Sequence, residues 1–517
     1  MTDANLYTHL RAAFPEDGDT LAIETDNGVN YTWADLERGS ARLANFLHGL
    51  ALSPGARIAV QVEKSVEALM LYLATLRAGY VFLPLNTAYQ SAEMEYFVRD
   101  AEPEVVVCTP GNFGWVSPLA FQAGTRWVFT LGDDRSGSLL ERAAHASDQH
   151  TPVSRRADDV AVIIYTSGTT GRSKGAMLTH GNMLSNAQVL NDYWGWRAGD
   201  VLIHALPIFH VHGLFVAVHG ALLSGNRMIW LARFDVARVL NNLPRATVFM
   251  GVPTLYVRLL AEAGLNPAVC AGMRLFISGS APLLTDTWSQ WRQRTGHTIL
   301  ERYGMSETIM LTSNPYQGER RAGTVGLPLP GVQLRVVDAA QQPVPAGVVG
   351  DIQVKSPSVF AGYWRMPEKT AEEFTVDGYF KTGDVGWLSD DGYLTLVGRS
   401  KDVIISGGYN VYPAEVESYI NDLPGVAESA VVGVADADLG EVGVAVVVPR
   451  PGATLDPQQI LASLSGRLAR FKLPRHCHVL SELPRNAMGK VQKNLLRQQY
   501  ASGALGVRGA LPQKDPE

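Results

Sequence analysis

The chain has 517 residues, too many for one ordinary hydrophobic core, so a large subdivided domain plus a smaller one is expected. Hydrophobic residues make up 46% and charged residues 18%, with both signs spread along the chain, a composition that excludes a disordered protein. The 44 Lys and Arg against 50 Asp and Glu leave a net charge of -6, which argues against a general nucleic-acid binder and requires any anionic ligand to be held by local features.

In chain order, the start MTDANLYTHLRAAFPEDGD has no basic segment followed by an apolar run and does not read as a signal peptide. RIAVQV (57–62) reads as a strand, residues 65–78 have the apolar spacing of an amphipathic helix, and VFLPLN (81–86) reads as a second strand. The rhythm returns with strands at 105–108, 127–131, 160–165, 227–231, 247–250 and 275–278, which predicts an α/β fold with mostly parallel sheets. The most apolar stretch, 201–223, is interrupted by Pro207, His204, His210, His212 and His219 and is expected to be buried core, not a membrane span. After Arg321, short strands and Gly/Pro turns predict a β-rich subdomain that completes a large domain over 1–400. From Lys401 to the end the pattern is a small α+β domain, with helices at 413–422 and 456–468, strands at 428–434 and 442–448, and a frayed tail from Ser502. Cys108, Cys270 and Cys477 lie far apart without a CxxC pair, so neither zinc nor a disulfide framework is expected, and a cytoplasmic location fits.

One segment stands out chemically. In YTSGTTGRSKG (165–175) a strand enters a loop with hydroxyls at Thr166, Ser167, Thr169 and Thr170, glycines at Gly168 and Gly171, and a cation at Lys174. Small residues let backbone N–H groups face phosphate oxygens, and the hydroxyls and the ammonium add donors. The order is not that of a Walker loop, because Lys174 follows Ser173 and precedes Gly175.

This loop, together with LPIFHVHGL (206–214), SGSAPL (278–283), ERYGMSET (301–308), GYFKTGDVG (378–386), GRSKDVIISGGYNVYPAEVE (398–417) and PRNAMGKVQKN (484–494), resembles the adenylate-forming superfamily of acyl-CoA synthetases, peptide-synthetase adenylation domains and beetle luciferases. The resemblance implies a large N-terminal domain of two α/β subdomains plus a β-rich one, a small mobile C-terminal domain, and use of ATP, Mg²⁺ and coenzyme A. It implies that Gly279, Ser280 and Ala281 wall the adenine, and that Glu301, Tyr303, Gly304 and Ser306 bind nucleotide. Glu307 would hold Mg²⁺, for which a hard carboxylate oxygen is suited. Asp384, assisted by Arg399, would accept the ribose hydroxyls, Lys401 would be the interdomain hinge, and Ser406, Gly407, Gly408 and Tyr409 would line a channel for coenzyme A.

By the same resemblance Lys490 is the catalytic residue of adenylation, an ammonium able to attract both the acid carboxylate and the α-phosphate. It is also a candidate for a lysine acetyltransferase and deacetylase, since acetylation removes its charge. His210 would sit at the mouth of the acid pocket, whereas His212 and His219 read as packing or surface residues. Arg302, Arg258 and Met305 are the candidates for the acid itself, because two guanidinium groups would suit a second carboxylate. The segments around them resemble malonyl-CoA synthetases, so a short dicarboxylate, malonate, is the expected substrate. A monocarboxylate-CoA ligase and a free-standing amino-acid adenylation enzyme stay open.

Overall fold

The computed structural model describes residues 3–166, 173–406, 409–436, 439–465, 467–486, 489–505 and 508–510. Its contacts divide the chain into two compact units, Met1–Gln333 with Lys355–Phe380 and Leu334–Val354 with Lys381–Glu517. No helix among the described residues is long and apolar enough to cross a membrane.

The first unit holds two sheets with helices between their strands. In the seven-stranded sheet the order is Gly362–Tyr363, Lys174–Thr179, Val160–Thr166, Val81–Pro84, Arg57–Gln61, Val105–Cys108 and Trp127–Thr130. The last five are parallel, whereas Lys174–Thr179 runs antiparallel to its neighbours. The nine-stranded sheet runs Leu327–Pro328, Thr312–Ser313, Ile299–Tyr303, Leu275–Ser278, Val248–Gly251, Val201–His204, Arg227–Trp230, Leu21–Thr25 and Asn30–Thr32. Its parallel strands VLIH, VFMG and LFIS are buried at every residue, as strands covered on both faces must be.

Two sequence expectations change here. The helix Val66–Arg77 is not amphipathic, since all of its residues are buried. It packs on the helices Trp33–Gly49 and Leu6–Ala12 and on the strand Val81–Pro84, so no face is left for water. Its charges are therefore paired internally: Glu67 accepts from Tyr31 Oη at 2.6 Å, and Arg77 meets Glu37 at 3.0 Å and Tyr7 Oη at 2.7 Å. The apolar stretch 201–223 is buried as expected, but as a strand, a tight turn, a π-helical segment His212–Val218 and the short helix His219–Leu223. His219 is a core residue: its Nε2 lies 2.8 Å from Tyr72 Oη, and burial lowers its pKa to about 3.

In the second unit a four-stranded sheet, Gln333–Val337, Gly350–Lys355, Phe380–Leu388 and Leu394–Arg399, accompanies a six-stranded one. Strand alternation gives the larger sheet two cores. Val431, Ala445 and Val447 face Val416, Ile420 and Leu461, while Ala430, Val432, Val444 and Val446 face Leu483 and Leu496. The helix expected over 456–468 is Pro457–Leu464, because Ser465 leaves the helical conformation at φ -65° and ψ 131°. The tail is not frayed throughout: Arg508–Ala510 pairs antiparallel with His476–Val479. Backbone pairing there supplies the order that composition did not suggest.

Candidate active site

The ends of the phosphate-type loop are held by one helix, Ser91–Ala101. Tyr165, where the loop begins, donates its hydroxyl to Asp100, and Tyr96 Oη donates to Ser173 O at 2.6 Å where it ends. Ser167, Gly168, Thr169, Thr170 and Gly171 lie outside the described residues, and Thr166 closes the strand before them.

Lys174 begins the next strand with its Nζ 4.0 Å from the centre of the Tyr363 ring and 3.4 Å from Glu373. Tyr363 in turn donates its hydroxyl to Glu307 Oε1 at 2.9 Å, and the Glu307 carbonyl accepts the Phe360 N–H at 2.8 Å. Lys174 and Glu307, 133 residues apart in sequence, thus meet through one aromatic ring that the motifs did not include. Tyr363→Phe removes one hydrogen bond to a buried carboxylate, so the KM for MgATP should rise about tenfold while that for the acid stays put, read by pyrophosphate release.

Glu307 belongs to a turn at the carboxyl end of Ile299–Tyr303, where open α/β sheets bind ligands. The turn is tight. A Cβ on Gly304 would lie 1.9 Å from Ile309 O, and Ile309 itself is at φ 58°. Met305 and Thr308 exchange hydrogen bonds of 3.1 and 3.3 Å across it, leaving Met305 and Ser306 half-buried. Among the described residues no group of three or more His, Cys, Asp or Glu could hold a metal alone, so Glu307 fits Mg²⁺ only as one ligand beside phosphates.

Strand alternation separates the three residues before that turn. Glu301 and Tyr303 share one face, and Arg302 lies on the other. Glu301 Oε1 accepts the Leu283 N–H at 3.0 Å, and burial raises its pKa to about 8, so it is protonated near neutrality and fastens the SGSAPL loop. Arg302 is 3% exposed, and its guanidinium lies flat enough on Gly279 that a Cβ there would come within 2.5 Å of Cζ. Among the described residues its Nε and Nη2 have no hydrogen-bond partner, and burial pushes its pKa down to about 9. A buried cation with unpartnered donors carries a desolvation cost that an anion placed beside it would offset.

Around Arg302 lie Ser280, held at φ 71°, and His212, whose Nδ1 is 3.4 Å from Ser280 Oγ. His212 is 2% exposed, and burial, with Arg302 nearby, keeps it neutral. Expected from the sequence as a packing or surface residue, it is buried against Ser280 and close to Arg302. His210 Nδ1 accepts the backbone N–H of His212 at 3.4 Å, which orients the His210 ring on that turn. Tyr256, also missed, is buried beside Arg302 and donates to Ile277 O at 2.6 Å. Ala281 is half-buried on the same loop. Arg258 stands apart from this cluster: it is exposed, in a groove lined by Phe234, Asp235, Leu240 and Glu262.

On the second unit Asp384 and Arg399 are cross-strand partners, with Nε 2.6 Å from Oδ1 and Asp384 buried. Lys401 is on the 3-10 turn Ser400–Asp402. Partial burial lowers its pKa to about 8 against the pull of Asp402, with Arg399, Lys490 and Arg497 adding like charge. Ser406 is buried and pairs with Tyr409 across a hairpin whose Gly407 and Gly408 lie outside the described residues. The Tyr409 ring is 60% exposed and stacks on Phe471 at 4.7 Å. Lys490 is exposed at the end of a turn closed by Asn486, whose backbone N–H and side-chain Oδ1 bond Lys490 O and N at 2.9 and 3.0 Å.

Comparison with known proteins follows these groupings. The AMP-binding enzyme family matches residues 10–364, and the AMP-binding enzyme C-terminal domain matches residues 415–490. A malonate-CoA ligase of Arabidopsis thaliana is 35% identical, over 95% of this chain and 89% of its own. A feruloyl-CoA synthase of Amycolatopsis is 36% identical, over 92% of this chain and 94% of its own. The crystal structure of ATP-bound MatB from Rhodopseudomonas palustris is 53% identical, covers 96% of this chain and 99% of its own, and superposes with a TM-score of 0.94. With matches running in order along most of its length, this chain belongs to the AMP-binding enzyme family.

Proposed function

We propose that the protein is an ATP-dependent malonate-CoA ligase that works through malonyl-adenylate. The supporting observation is Arg302: a buried guanidinium with two unpartnered donors, beside neutral His212 and Ser280, suits a second carboxylate that a simple monocarboxylic acid lacks. The likeness to MatB and to the Arabidopsis malonate-CoA ligase supports the same reading, while the feruloyl-CoA synthase likeness keeps an aryl acid as the alternative. Arg258, on the same helix as Tyr256 but exposed and apart from the cluster, is left out of the acid site.

In the first step a carboxylate oxygen of the acid attacks the ATP α-phosphorus, and the bond to the bridging oxygen breaks to release pyrophosphate. The nucleophile is already ionised near neutral pH, so no general base is needed, and rate comes from alignment and charge. Lys490 supplies the cation between the two anions. Glu307 would hold Mg²⁺, which would neutralise phosphate charge, and Lys174 with the loop before it would cradle the phosphates. Asp384, steadied by Arg399, accepts the ribose hydroxyls.

In the second step the coenzyme A thiol attacks the acyl carbon, and AMP leaves. The proposed domains are 1–400 and 401–517, with Lys401 as the hinge that exchanges Lys490 for the Ser406–Tyr409 channel, and the proposed location is the cytoplasm. Pyrophosphate release measured with malonate, methylmalonate, acetate, propionate, benzoate and ferulate tests the assignment. Malonate should give the highest kcat/KM; a higher value for any monocarboxylate would overturn it.

A further inference from the structure

Lys64 has no part in the chemistry above, yet it is one of the most enclosed cations in the protein. It lies just after the strand Arg57–Gln61 of the seven-stranded sheet and reaches into the nine-stranded one. Its Nζ donates to His204 O at 2.9 Å and to Leu231 O at 2.6 Å, the carbonyls at the ends of two neighbouring parallel strands. The indole of Trp230 lies beneath the ammonium at 4.5 Å and stacks on the His204 imidazole at 4.6 Å and 14°. Two carbonyls, an aromatic face and the charge of Asp26 offset the cost of burying this ammonium, which therefore ties the ends of the two strands together.

The network leads to the acid side of the site. His204 Nε2 is 2.9 Å from Gly213 O. A carbonyl can only accept, so Nε2 carries the proton, and burial beside Lys64 keeps the ring neutral. This bond closes residues 204–213 into a loop. Gly213 is the point of closest approach, since a Cβ there would lie 1.9 Å from Pro207 O. His210 and His212 are carried inside that loop, and His212 faces Ser280. A shift at His204 cannot be absorbed locally, because close-packed interiors transmit strain.

We propose that Lys64, acting through His204, is a positioning residue for the acid pocket: it fixes the strand ends beneath the turn that presents His210 and His212. This rests on the reading of that turn as part of the acid site. It predicts a selective defect. Lys64→Met keeps the length and removes the donors, so the KM for the acid should rise about tenfold, the equivalent of ~1.4 kcal/mol, with the KM for ATP within about twofold of wild type.

An unchanged acid KM, or equal rises for acid and ATP, would show a purely structural lysine and overturn the proposal. Should Lys64→Met lack a cooperative melt, the pair His204→Gln and His204→Asn decides. Gln carries an N–H where Nε2 sits and should restore the acid KM, Asn should not, and equal values would overturn the proposal. The measurements use the acid from the panel that the wild type activates best. A wild type that prefers a monocarboxylate would therefore overturn the dicarboxylate assignment, while the KM split still decides the role of Lys64.

Discussion

Lys490→Ala should lower pyrophosphate release from ATP and malonate by about 10²–10³-fold or more, the usual cost of removing a group that stabilises developing charge. The same variant should still form thioester from supplied malonyl-adenylate and coenzyme A at close to the wild-type rate. The reason for the split is electrostatic. Two anions must approach in adenylation, whereas a thiol meets a mixed anhydride in the second step, and only the first needs a cation between them. The turn that carries Lys490 is braced by Asn486 and by Arg485, which donates to Gly489 O at 2.6 Å. Truncating an exposed side chain beyond that brace should leave the fold intact, so lost activity reads as lost charge. Equal loss of both half-reactions would remove Lys490 from its proposed role. Acetylation of the Lys490 ammonium would cancel the same charge, so enzyme fully acetylated there should match the variant.

Arg302→Ala should cost malonate about 10²–10⁴-fold in kcat/KM, because truncating one side of a buried charged pair typically costs ~3–5 kcal/mol. Propionate has no second carboxylate to strand and should change by about tenfold or less, so the ratio of the two acids carries the result. The unpartnered Nε and Nη2 make this sharper than an ordinary loss of packing. Glu301, next in sequence, cannot substitute: it lies on the other face of the strand, bonded to the Leu283 N–H. A melt confirming the fold, with malonate and propionate falling in parallel, would refute the dicarboxylate site.

Several features were legible before the structure. The strand rhythm implied an α/β fold with mostly parallel sheets, and the ordered motifs from Tyr165 to Lys490 implied the family. Such features are local: a period of two or 3.6, a glycine where the backbone turns, a lysine in a fixed neighbourhood. Where sequence reasoning failed, the deciding contact was distant. The helix Val66–Arg77 has the apolar spacing of an amphipathic helix, but Arg135 and Glu37 pair with Glu67 and Arg77, and Tyr31 and Tyr7 hydrogen-bond them, all from other segments. Arg508–Ala510 looked like a tail because its partner strand, His476–Val479, lies outside any local window.

The site divides in the same way. Sequence by itself determined the family, and it singled out the candidate cations and carboxylates, because those chemistries sit in contiguous motifs. Tertiary structure alone decided that Lys174 and Glu307 share Tyr363, that His212 lies beside Arg302, and that the Lys64 ammonium meets the His204 carbonyl. The physical reason is that burial and partnership set what a charged side chain does. Both are properties of segments brought together by folding, and neither is written in the residues next to it.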